Sequence, residues 1–542
     1  MGLTPISNSI YKQILAGCII GLLLFLTFMN PAQAQLQARG YVYEDLNKNQ
    51  IQDPNEKGIP TVSVSNGVDV VQTDSKGFYE LPISEDVIIF VIKPSHFQVP
   101  VNDLNQPQFH YIHKPKGSPQ LLHPGVSPTG PLPDWVNFGL FPNPEPSNFT
   151  ALLFGDPQPD ELEDVHSFEK AIVSELNGNS GALFGLSLGD LGKLDLWPAY
   201  NEAVAKVGIP WYNVFGNHDM NSDGGEDLLS DETFERTYGP PNYSFNVADV
   251  HFIMLDDVIF PDPRGEGSYY GGLRPDILEF IKNDLQFVPK DKLIVLGFHI
   301  PLAQFEEPDP FRVEDRMTLF DLLKDYPHTL SISGHTHSQN HHFYIEEEGW
   351  KGSGFHHHYN PGAVSGDVYK GPKDKYGTPA AFMRDGTPKG YAFLNIVGNT
   401  YSYEYKSSGE SENYKMSIHI PKIVPQAKKY RGEIVVNFFQ GSPRDKVEFR
   451  VDDGEWQELK LTPKMDKYLL ELEYEWDHAE QLPEGTRLST PLISNHIWSK
   501  QMPSHYSLGE HILEVRVTDW LGREYRASES FEMVPDHGKY GF

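Results

Sequence analysis

Five short blocks of metal-binding residue types occur in the order Gly155-Asp156-Pro157-Gln158, Gly189-Asp190, Gly216-Asn217-His218-Asp219, Gly297-Phe298-His299 and Gly334-His335-Thr336-His337. Asp156 and Asp190 offer carboxylates, Asn217 an amide oxygen, and His299, His335 and His337 imidazoles, with no thiolate among them. Such a mixture of oxygen and nitrogen donors suits a pair of first-row divalent cations that stay Lewis acidic and partly open to water. The chemistry it points to is hydrolysis at a two-metal site.

Each block stands at the polar end of an apolar run. Residues 150–154, 182–188, 211–215 and 293–296 have the length and composition of buried strands, and the shorter 330–333 reads the same way. The ligands are therefore expected at strand ends. Residues 164–176 and 275–287 carry apolar side chains at helical spacing, and 317–323 is a third candidate helix. Strands alternating with helices predict an α/β sandwich whose site lies at the strand ends.

On either side of this region the pattern changes. Residues 38–97 read as short strands and turns, with a hairpin signal at Asp74-Ser75-Lys76-Gly77. The Pro- and Gly-rich stretch that follows reads as a linker over the surface. After residue 399 the helical signals fade, and 433–439, 446–451, 468–474 and 511–519 alternate apolar with polar residues as half-buried antiparallel strands do. The expected division is an amino-terminal β-sandwich at 35–105, a linker at 106–147, a central α/β domain at 148–400 and a second β-sandwich at 410–538.

In residues and order the five blocks resemble the calcineurin-like metallophosphoesterase family, over roughly residues 149–397. The three-part order resembles a bacterial secreted group of that family with accessory β-domains at both ends. Pro491-Leu492-Ile493-Ser494-Asn495-His496-Ile497-Trp498 and Leu513-Glu514-Val515-Arg516-Val517-Thr518-Asp519 look like that group's terminal domain. The resemblance implies a multidomain protein, a central α/β metallophosphoesterase sandwich flanked by two small β-sandwich domains. It also implies a ligand scheme: Asp156, Gln158, Asp190 and His337 for one metal, and the shared Asp190 with Asn217, His299 and His335 for the other. A bridging carboxylate lets two cations sit about 3.5 Å apart and share a hydroxide nucleophile.

Gln158 departs from the His of many members, and an amide oxygen, weaker and harder than imidazole, favours Mn or Fe over Zn. Its other reading is a turn residue between Pro157 and Pro159. His218 is the candidate for protonating the leaving oxygen or binding the phosphoryl group, and Asp219 for orienting the loop or that imidazole. On the substrate side, His357 in the run His356-His357-His358 would sit on a loop over the site, and Arg384 would clamp an anionic oxygen. Solvated loop histidines and a surface turn are the plainer readings of these two.

The functional expectation is a secreted metal-dependent phosphoesterase that hydrolyses phosphomono- or diesters of small substrates. The alternative is an inactive cell-surface binding or adhesion module on the same fold, its flanking domains attached to a surface polymer. Away from the blocks, Asp45, Asn47, Asn49, Asp53 and Glu56 fall at positions 1, 3, 5, 9 and 12 of an EF-hand loop, with Gln50 where Gly is usual and strands rather than helices beside it. Residues 40–79 resemble the calcium-binding B-type domains of bacterial surface proteins, so a structural Ca²⁺ is expected there; an acidic turn is the rival reading.

With 44 basic and 75 acidic residues the chain carries a net charge of −31. Such a surface repels nucleic-acid backbones and anionic membranes, so no nucleic-acid polymer is expected as partner, while small anions remain open to a site whose metals reverse the local sign. Lys12, an apolar stretch at 14–28 and Ala32-Gln33-Ala34 read as a secretory signal over residues 1–34, with periplasmic or extracellular delivery. Two other readings of that segment are a lipoprotein box at Leu15-Ala16-Gly17-Cys18 and an uncleaved anchor. Cys18 is the sole cysteine, so the mature chain has no disulfide.

Overall fold

The computed structural model describes residues 36–178, 180–265, 268–303, 311–428 and 430–536, and the expected signal lies outside them. Two sheets form the centre. One runs Trp211–Asn213, Phe184–Ser187, Asn148–Phe154, Gly390–Val397, Thr400–Ser407, its first three strands parallel and its last two antiparallel. The other runs Tyr243–Val247, Val250–Met254, Leu293–Gly297, Thr329–Ile332, His356–Pro361, Gln339–Tyr344, parallel through its middle four. Parallel strands buried on both faces must be apolar almost throughout, which is why the runs were legible. The sheets pack through aromatic edges: Phe184 meets Phe245 at 5.5 Å and Phe252 at 5.3 Å in T-shaped contacts.

Helices cover the outer faces. Pro275–Leu285 starts with proline at its first position and buries Ile277, Phe280, Ile281 and Leu285. The third expected helix extends further forward, over Val313–Leu323. No helix among the described residues is long and apolar enough to cross a membrane.

The flanking parts are β-sandwiches, as expected, with two differences. In the amino-terminal sandwich, the stretch read as a linker supplies the strands His110–His113 and Phe138–Pro142; the latter pairs in parallel with Gln37–Glu44. These strands are short and mixed in polarity, so composition hid them. In the carboxy-terminal part, residues 468–474 are not a strand but lie in the helix Lys467–Asp477, capped by the Asp466 carboxylate accepting from Leu469 N. Its Leu/Glu alternation imitates a strand, yet both residue types are strong helix formers.

The amino-terminal sandwich and the central domain share one continuous core: Phe90 of the first meets Phe280 of the second at 5.9 Å, and Phe109 meets Tyr243 at 5.3 Å. The carboxy-terminal sandwich has a core of its own around Phe438, Phe449, Trp498, Val515 and Phe531.

Candidate metal centre

All five blocks follow the carboxyl ends of parallel strands, three from one sheet and two from the other. Asp156, Asp190 and His299 are buried, with potential ligand atoms all within 4.8 Å of one another. His299 Nδ1 donates to the Leu188 carbonyl at 2.8 Å, which turns Nε2 toward the cluster. That nitrogen lies 3.0 Å from Asn217 Oδ1, 3.2 Å from Asp190 Oδ1 and 3.3 Å from His335 Nδ1. His335 Nδ1 is 2.9 Å from the same Asn217 oxygen, and His337 Nε2 is 3.5 Å from Asp156 Oδ1. Carboxylate, amide and imidazole atoms converging in this way need positive charge among them, from a proton on His299 or from a cation.

One further atom tests the fit of a metal. Gln158 Oε1 is buried without a hydrogen-bond partner among the described residues. A buried amide oxygen left unpaired costs about 1–3 kcal/mol, a penalty that a coordinated cation removes. The donor set therefore fits divalent metals.

Protonation follows the same logic. Burial opposes charge on His299, but the charge and hydrogen bond of Asp190, with Asp156 behind it, hold its imidazolium up to about 10. Burial likewise opposes ionisation of Asp190, and His299 outweighs it, holding the carboxyl below its usual range. His335 is pushed down to about 4 by burial and by the His299 charge.

The backbone is strained at the same residues. Asp156, Gln158, Asp190, His335 and His337 have φ of 41°, 36°, 54°, 74° and 48°, in a region that side chains rarely adopt. Gly189 shows how tightly the turns fit: its φ is +89°, and a Cβ there would meet His299 Nδ1 at 2.5 Å. The turns hold one another in place. His335 N donates to both Asp156 oxygens at 2.8 and 3.0 Å, His218 N to Asp190 Oδ1 at 2.8 Å, and Gln158 N to the Asp190 carbonyl at 2.9 Å.

His218 is exposed beside the cluster. Asp219 is fully buried, and its oxygens accept from Leu191 N and Gly216 N, both at 2.8 Å. It ties two ligand turns together through these backbone amides.

Two substrate-side expectations need correction. His357 is fully buried in a strand, bonded to His341 and to Tyr401 Oη, both at 2.9 Å, and stacked on Phe343. His356 and His358 share Ser331 Oγ inside the core, so the run is a satisfied core strand and not a loop over the site. Arg384 Nε donates to the Thr490 carbonyl at 2.9 Å, toward the carboxy-terminal domain.

The Asp45–Glu56 loop lies in the amino-terminal sandwich. Asp45 and Glu56 are buried; Asp45 accepts from Asn49 N and Gln50 N, and Glu56 from Leu46 N and Asp53 N. Asn47 Nδ2 donates to Asp53 Oδ2 at 2.7 Å.

Further residues support these turns, and of them Asp257, Ser365 and Tyr369 went unnoticed in the sequence. Asp257 accepts from His299 N and Ile300 N, Asn360 braces Gly334 and Thr336, and Tyr369 Oη and Ser365 Oγ bond the Pro157 and Asp156 carbonyls. Asp257 left a weak signal: with Asp256 it closes the apolar run 252–255, as the ligand blocks close theirs.

Family models match this organisation: "Calcineurin-like phosphoesterase" over residues 149–339, its N-terminal domain over 46–122 and its C-terminal domain over 358–525. The chain belongs to the calcineurin-like phosphoesterase family and carries the family's amino- and carboxy-terminal domains. Among curated proteins it is similar to a probable glycerophosphodiester phosphodiesterase of Arcobacter nitrofigilis, 26% identical over 160 residues. That match covers 29% of this chain and about half, 55%, of the relative. Among solved structures it is similar to a purple acid phosphatase from yellow lupin (Lupinus luteus) seeds, at 12% identity and a TM-score of 0.34, over 69% of this chain and 73% of that one. CopC from Methylosinus trichosporium is similar at 11% identity and a TM-score of 0.13, over 22% and 91%.

Proposed function

We propose that the protein hydrolyses phosphomono- or diesters of small substrates at a dinuclear metal centre. The observation that carries this reading is the convergence of Asp156, Asp190 and His299 within 4.8 Å, with Gln158 Oε1 left without a hydrogen-bond partner beside them. Asp156, Gln158, Asp190 and His337 would hold one cation, and Asp190, Asn217, His299 and His335 the other. The bound pair would supply Lewis acidity and a water acidic enough to ionise near neutral pH. Asp190 orients the His218 turn through its amide, so that the exposed imidazole can give a proton to the leaving oxygen. The similarity to a probable glycerophosphodiester phosphodiesterase supports testing diesters alongside monoesters.

The test is turnover of p-nitrophenyl phosphate and bis-p-nitrophenyl phosphate by purified protein, stripped and then reloaded with Mn²⁺, Fe²⁺ or Zn²⁺. Turnover is expected only after reloading. No metal-stimulated hydrolysis of either ester, with no metal retained, would refute the reading.

Three finer parts belong to the same proposal. The protein is exported to the periplasm or the cell exterior, which fractionation of expressing cells checks. Its flanking domains hold a surface polymer, which retention of the catalytically dead protein on cell walls checks. The Asp45–Glu56 loop takes a structural Ca²⁺ through Asp45, Asn47, Asn49, Asp53 and Glu56; Ca²⁺ should then raise the melting temperature of the full chain with turnover in the cold unchanged. Superimposable melts with Ca²⁺ and with chelator would make it an acidic turn.

A further inference from the structure

The carboxy-terminal domain reaches toward the metal centre through buried contacts at Asp385. Asp385 and His496 are 3% and 1% exposed, and His496 Nε2 lies 3.0 Å from Asp385 Oδ2. The same Asp385 oxygen accepts from Gln339 N at 2.7 Å, while Oδ1 accepts from Thr387 N at 2.8 Å. Gln339 opens the strand immediately after the His335-Thr336-His337 turn, two residues beyond His337. Its side chain is fixed as well, donating to the Pro361 carbonyl at 2.7 Å and accepting from Tyr359 Oη at 3.2 Å.

On the other side His496 Nδ1 meets Asn437 Oδ1 at 2.8 Å. The Asn437 amide in turn donates to the Asp385 carbonyl at 3.0 Å and to Asp466 at 2.9 Å, so the carboxy-terminal domain grips Asp385 by both its main chain and its side chain. The same segment touches the far side of His337. Asp367 Oδ1 stands 3.8 Å from His337 Nδ1, and Asp367 N donates to the Phe382 carbonyl, three residues before Asp385.

We propose that His496 of the carboxy-terminal domain is a positioning residue of the metal centre, acting through Asp385 and Gln339 on the turn that carries His337. The physical reason is the φ of +48° at His337. A strained turn persists only where its surroundings over-determine it, and the amide bond from Gln339 to Asp385 is one of the restraints next to it. Asp385 holds its orientation because three donors converge on it; without His496 a buried carboxylate loses a partner and turns toward another, taking Gln339 with it. The inference rests on the reading of His337 as a metal ligand. It makes the second sandwich part of the site, where a surface appendage would be independent of it.

The test is equilibrium binding of Mn²⁺ to the stripped full-length chain, followed by calorimetry and elemental analysis, with melting curves for every variant. His496→Asn keeps an amide for Asn437 but falls short of Asp385, and should weaken one of the two sites about tenfold while leaving the other unchanged. His496→Gln places its amide nitrogen toward Asp385 and should bind within about threefold of wild type on the same scale. Asp385→Asn should weaken the same site, and stands in if His496→Asn melts below the assay temperature. His511→Ala breaks the pair with Asp452 elsewhere in that domain and should leave both sites intact. Wild-type affinity in His496→Asn, equal loss in the Asn and Gln variants, or equal loss in His511→Ala would overturn the proposal. Unchanged metal content in His337→Ala would remove the ligand reading beneath it.

Discussion

Asp190 and Gln158 stand at opposite ends of the candidate site's chemistry. The Asp190 carboxylate faces His299 at 3.2 Å, accepts the His218 amide and lies within 4.8 Å of both Asp156 and His299, the central position that the proposed shared ligand requires. Gln158 offers one neutral oxygen to one position. Replacing Asp190 with Asn removes charge from both cations and from the turn of the proton donor, and kcat/KM should fall on the order of a hundredfold or more; Gln158→Ala should cost about tenfold. Equal losses in steady-state assays would contradict a shared Asp190. Gln158→His should tighten one Mn²⁺ or Zn²⁺ site, since imidazole is the better donor for first-row ions, and unchanged affinity would remove Gln158 from the ligand set.

At the scale of elements, the strand-to-turn junctions carry the site. Gly189 at φ +89°, with a Cβ position 2.5 Å from His299 Nδ1, cannot become Ala without both backbone strain and displacement of the imidazole. Gly189→Ala should cost roughly 2–3 kcal/mol and lower metal content, whereas Gly225→Ala, at φ +76° with nothing within 4 Å, should cost only about 1 kcal/mol and leave metal content alone. Matching melts and metal contents in the two variants would show that the junction tolerates movement. These junctions were legible in the sequence because a parallel strand buried on both faces is one apolar run and its polar end is abrupt. The helix at 467–477 was not, because alternating Leu and Glu satisfies either period and only the Asp466 cap and the packing of Leu469 decide between them. The run His356–His358 was misread for a similar reason. Three imidazoles look solvated until Thr329, Ser331, Ser333, His341 and Tyr401, all distant in sequence, are seen to pair with them. The roles of Asp257, Asn360 and Asp385 were not legible because the groups they hold are brought near only by the tertiary fold.

At the scale of the whole molecule, the shared core makes the amino-terminal sandwich and the central domain one folding unit, and their seam is charged. Lys114 of the sandwich lies 2.7 Å from Glu232 and 2.5 Å from Glu235 on the helix Glu232–Tyr238, with buried Asp231 at the start of that helix and Arg274 close by. Burial raises the Asp231 carboxyl to about 6, against the pull of Arg274 and Lys114 and with Glu232 adding to the rise. A carboxyl whose pKa is raised in the folded state holds its proton after the unfolded chain has lost it. Its contribution to stability is therefore complete below the ordinary carboxyl value of 3.8 and is lost as pH climbs from there to about 6. Asp231→Asn keeps the shape and removes the ionisation. The variant should match wild type near pH 4, then gain a relative stability that grows to on the order of 2–3 kcal/mol and levels off above about pH 6.5. Denaturant unfolding at half-unit steps from pH 4 to 7.5 reads the difference directly. A gap that is constant across that range, or a wild type that is the more stable protein at pH 7, would mean that Asp231 is ionised at no cost in the seam and that Lys114 and Arg274 compensate its burial fully.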